Sequence, residues 1–107
     1  MTEKSVGEIV AGAIEAASEV GKDVGVAIKS AVKGTVKGAS EVGADVGKTA
    51  VAAVDGAVKA AGEIGADTAE ALEHATTGAI EAAEEIGSDT AQAVRTVLKT
   101  AVKGKGR

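Results

Sequence analysis

The sequence predicts an all-α protein, and three observations carry that expectation. Proline, the residue that breaks helices, is absent from all 107 positions. A unit of 22 residues recurs almost without insertion from Gly12 to Lys99, marked by Gly12, Gly34, Gly56 and Gly78. Apolar residues inside the unit fall at steps of three and four, the spacing of one helix face. The expected organisation is a partial repeat over 1–11, four units over 12–99 forming one helical array, and a partial repeat with a basic tail over 100–107.

Each unit divides again. Laid over each other, Gly12 to Lys22 and Asp23 to Lys33 match apolar on apolar and polar on polar, so the underlying period is eleven. Eleven residues over three turns is about 3.67 per turn, which predicts a right-handed supercoil. The first unit supplies Ile14, Ala17, Gly21, Gly25, Ile28 and Val32 to the main apolar track, and the second supplies Val36, Ala39, Gly43, Gly47, Ala50 and Val54. The third continues it through Val58, Ala61, Gly65, Ala69, Leu72 and Thr76, and the fourth through Ile80, Ala83, Gly87, Ala91, Val94 and Leu98. Beside it runs a second track: Val20 and Val24, Val42 and Val46, Ile64 and Thr68, Ile86 and Thr90. Together they make a face wider than a two-stranded seam, so each helix is expected to meet more than one neighbour.

This layout resembles a hendecad coiled coil, and in period and composition it is similar to the eleven-residue repeats of synucleins and late-embryogenesis-abundant proteins. The likeness covers most of the chain but rests on period alone, so it implies an amphipathic helix and carries no functional residue across. The fold expected from it is one long amphipathic helix in a right-handed helical oligomer.

Small residues stack four apart along the middle of the face: Ala17, Gly21 and Gly25; Ala39, Gly43 and Gly47; Ala61, Gly65 and Ala69; Ala83, Gly87 and Ala91. Such spacing lets helix backbones approach closely, and these twelve residues are the expected packing interface. Gly12, Gly34, Gly56 and Gly78 lie toward the polar side and are expected only to mark the unit. Interior glycine costs roughly 1 kcal/mol against alanine, so a lone helix is expected to need a partner before it forms.

The same glycines support a rival. Gly21-Lys22-Asp23, Gly43-Ala44-Asp45, Gly65-Ala66-Asp67 and Gly87-Ser88-Asp89 each place a helix stop before a helix start. Asp67-Thr68-Ala69-Glu70 and Asp89-Thr90-Ala91-Gln92 resemble capping boxes. On this alternative the chain is a helical hairpin, or short helices broken at Gly-x-Asp. Against it stands the unbroken eleven-residue phase.

Composition excludes several classes. With no Phe, Trp or Tyr, a single compact domain is not expected, because its core must be closed by many small contacts. Without Cys there is neither disulfide framework nor thiolate metal site. A net charge of −4 argues against nucleic acid as a partner. The longest stretch without Asp, Glu, Lys or Arg, His74 to Ile80, is too short to span a bilayer, and Glu3, Lys4 and Glu8 spoil a secretory signal. Cytoplasmic residence is the default expectation.

Charge is segregated along the chain. Glu63 to Asp89 holds eight acids and no Lys or Arg, while Arg95, Lys99, Lys103, Lys105 and Arg107 form a basic end. That asymmetry suits a staggered or antiparallel contact between chains. Glu19 and Asp23 and their equivalents lie four apart, a repulsion expected to be met by bases on a neighbouring chain. His74 falls among polar positions and is expected to be exposed. No nucleophile, base or phosphate loop has a setting for catalysis, so no enzyme, cofactor or metal is expected. The expected function is a structural protein that self-assembles into a homo-oligomer, a filament or tube among its forms. The alternatives are a peripheral amphipathic helix on lipid surfaces and a disordered stress-protective chain.

Overall fold

The computed structural model describes residues 3–105. Five helices follow one another: α1 Glu3–Glu19, α2 Val24–Glu41, α3 Val46–Glu63, α4 Thr68–Ile86 and α5 Ser88–Lys105. No strand occurs among the described residues. The expected single long helix does not form. A continuous helix over 12–99 would measure about 130 Å at 1.5 Å per residue, whereas the chain is 36 Å in its longest dimension. The breaks fall at the Gly-x-Asp tripeptides.

The cause is local. Gly21, Gly43 and Gly65 adopt φ of 74°, 74° and 77°, the left-handed region where a Cβ is penalised. Each closes a Schellman motif: Gly43 N–H donates to the Ser40 carbonyl at 3.2 Å and Ala44 N–H to the Ala39 carbonyl at 2.8 Å. Two residues after each glycine an aspartate opens the next helix. Asp23 Oδ1 accepts from Val26 N–H at 3.1 Å, Asp45 Oδ1 from Lys48 N–H at 3.0 Å, and Asp67 Oδ1 from Ala69 N–H at 2.9 Å and Glu70 N–H at 3.1 Å. The aspartates therefore answer to backbone amides at helix starts and do not need bases on another chain. The helical phase survives because the whole unit, turn included, is duplicated: α3 and α4 each begin 22 residues after the helix before.

Junction four differs. α4 runs through Ile86, Gly87 sits extended at φ 164°, and α5 starts at Ser88. Asp89 then lies inside the first turn, where its charge complements the helix dipole. A salt bridge from Arg95 to Glu84 spans this junction.

Among the described residues, each helix packs on the neighbours one and two places along the chain, and on none further. The two most extensive pairs are α2 with α4 and α1 with α3. The core uses the predicted track in part: Ile14, Ile28, Val32, Val36, Val54, Val94 and Leu98 are buried, joined by Val6 and Val10. The second track is divided by the turns, with Val20 and Val42 exposed and Val24, Val46 and Ile64 against the core. α3 and α4 add a further buried face of Ala53, Ala57 and Ala60, and of Ala75, Ala79 and Ala82. A single domain without aromatic rings closes after all, because alanine and glycine let these helices approach within backbone contact. Thr49, the one buried polar residue among those described, donates its hydroxyl to the Asp45 carbonyl at 2.8 Å.

Candidate interaction surfaces

Two helix crossings organise the molecule, and both turn on a glycine that marks the unit. A Cβ placed on Gly56 would lie 2.7 Å from the Cα and carbonyl oxygen of Gly7, where α3 crosses α1. On Gly78 it would lie 2.5 Å from the Lys29 carbonyl oxygen, where α4 crosses α2. Gly7 and Lys29 are one unit apart, as are Gly56 and Gly78, so the second crossing is the first translated by 22 residues. The glycines expected on the polar side are thus the ones that set the closest approach. The signal was present: Ala53, Gly56, Ala57 and Ala60 are small residues at i, i+3, i+4 and i+7, repeated as Ala75, Gly78, Ala79 and Ala82.

The twelve residues of the expected interface divide by location. Ala39, Ala61, Ala83 and Ala91 are buried. Ala17 is half-buried, and Ala69 is exposed in the first turn of α4. Gly21, Gly43 and Gly65 occupy turns, and neither they nor Gly87 has anything within 4 Å of an added Cβ. They end helices and pack against nothing within the chain, because left-handed φ and helical packing exclude one another. Gly25 and Gly47 stand at the starts of α2 and α3, against His74 and Val97 respectively. His74 is exposed, its ring edge over Gly25.

The acidic stretch finds bases within the chain. Lys29, Lys33 and Lys37 rise along α2 and meet Glu81 and Glu85 of α4: Lys29–Glu81 at 3.0 Å, Lys33–Glu81 at 3.7 Å, and Lys33–Glu85 and Lys37–Glu85 at 2.8 Å each. Hydrogen bonds from Lys33 and then Lys37 lower the Glu85 carboxyl from 4.5 to about 2, and the bond to Glu85 raises Lys33. At the equivalent places α1 carries Gly7, Ala11 and Glu15 opposite Lys59 and Glu63 of α3, and no ladder forms. An open groove of about 700 Å³ remains there, lined by Gly7, Ala11, Val51, Ala52 and Gly56 among others. Lys103, Lys105 and Arg107, proposed from sequence as a partner for the acidic stretch, lie outside the described side chains.

A second groove, of about 610 Å³, lies between α4 and α5. Its floor is Leu72, Thr76, Ile80 and Leu98, with Glu73 on one wall and Arg95 and Lys99 on the other. At the opposite end α1 presents Ile9, Gly12, Ala13 and Ala16 to solvent, the same unit positions that are buried in α3 and α4. Ile9 is 56% exposed, and an added Cβ on Gly12 or Gly34 meets nothing within 4 Å.

No group of three or more His, Asp or Glu side chains converges on a metal-sized site among the described residues. No helix among them is long and apolar enough to cross a membrane. Compared with known protein families, with curated proteins and with solved structures, the chain matches none of them.

Proposed function

We propose that this protein is a structural module, without catalysis, that self-assembles by extending its own helical array. One observation carries the proposal. Among the described residues packing involves only helices one and two places along, and the small-residue face buried in α3 and α4 is left bare on α1. An array of this kind has no internal reason to stop at five helices, since each repeat is stabilised by its neighbours. A contact that adds the first helices of one copy to the last of another is heterologous and propagates unless it closes into a ring. The wide apolar track that a lipid surface would need is instead spent in the core, which favours assembly over peripheral membrane binding. Sedimentation velocity from micromolar to millimolar protein tests this. Species growing past the dimer with concentration are expected, with rods or rings in negative stain; a monomer throughout overturns the proposal.

A further inference from the structure

We infer that the groove between α4 and α5 is the receiving end of the array, and that its occupant is α1 of a second copy. The inference rests on the self-assembly proposed above and adds its register. Within the chain, Gly56 sits on Gly7 and Gly78 on Lys29. Two further units along, Lys29 becomes Glu73, which lines the open groove. The helix that would cross it is the one after α5, and in a head-to-tail stack that helix is the next copy's α1, with Gly12 at the crossing. Val97 of α5 lies 3.7 Å from a Cβ built on Gly47. One unit further, the same contact places the next copy's exposed Ile9 on Ala69, at the groove's end. This register gives Gly12 the role that Gly56 and Gly78 already have.

Charge modifies the fit. The ladder joining Lys29 and Lys37 to Glu81 and Glu85 would recur with Glu73 and Glu81 facing Glu15 and Glu19 of the incoming helix. Apolar burial and close approach favour docking, while these like charges oppose it and are screened by salt. The native contact is therefore weak at low ionic strength and strengthens as salt is added.

Exposed positions supply the test, so the variants keep the fold. Glu15→Lys with Glu19→Lys rebuilds the ladder across the contact. Its association, followed by sedimentation equilibrium, is expected to tighten at least about tenfold at low salt and to weaken as salt rises, the reverse of the native chain. Adding Ile9→Lys is expected to abolish association in both backgrounds. Because the chain has no cysteine, mixing an Ile9→Cys chain with an Ala69→Cys chain under oxidation should trap the mixed dimer ahead of either same-variant dimer. If the native chain associates but ignores all of these changes, the groove docking is overturned and self-assembly stands through another face. If the lysine variant alone associates and Ile9→Lys removes it, the docking stands and native self-assembly fails. If neither associates at any salt concentration, both are overturned.

Discussion

The crossing of α1 with α3 and the crossing of α2 with α4 share one geometry and differ in dress. Each closes on a glycine, Gly56 or Gly78, pressed to a backbone within 3 Å of where a Cβ would stand. Around Gly78 the flanks are filled by the ladder of Lys29, Lys33 and Lys37 on Glu81 and Glu85; around Gly56 they are left as a groove. Close backbone approach with and without ion pairs teaches that the glycine sets the crossing and the charges decorate it. Partly exposed ion pairs contribute little individually, in line with that ranking.

The sharpest way to break the comparison is to add one methyl group. Gly78→Ala must push Lys29 backbone away, a strain on the order of 1–3 kcal/mol that outweighs the roughly 1 kcal/mol gained in helix propensity. Gly34→Ala, one face of the same repeat but open to solvent, should stabilise by up to about 1 kcal/mol. Urea denaturation followed by circular dichroism measures both. Equal shifts of one sign would show that the crossing does not depend on the glycine.

A smaller effect is expected at the junctions. Gly43→Ala forces a Cβ into left-handed φ and should cost about 1 kcal/mol, whereas Gly87→Ala, extended and unencumbered, should stay within a few tenths. The same denaturation series distinguishes them. A large loss at Gly87 would show that the fourth junction is held in a geometry only glycine allows.

Smallest of all is the ladder itself, whose contribution depends on pH. Glu85 has its folded pKa depressed to about 2 by Lys33 and Lys37. A depressed carboxyl contributes stability that is fully present above its unfolded value near 4.5 and is lost as pH falls toward 2. Thermal midpoints of the native chain should fall over that window, and Glu85→Gln should flatten part of the fall. Identical pH profiles would remove Glu85 as a source of acid sensitivity.

Much of this was legible in the residues. The all-helical class follows from absent proline and the three-and-four spacing, and the breaks from Gly followed by Asp two residues on. The unbroken phase argues for a single long helix only where a turn has no reason to keep phase. It keeps phase when the duplicated unit contains the turn. The packing interface was less legible: small residues stack along two tracks of the unit, and one of them runs through the turns while the other forms the crossing.

By itself the sequence determined helix class, unit length and the chemistry of stops and starts, since left-handed glycine and aspartate caps act within a few residues of chain. Tertiary structure alone decided which glycines touch a backbone. That choice depends on how two helices two units apart lie across each other, and Gly34 and Gly78 share one place in the unit while only Gly78 has a helix against it.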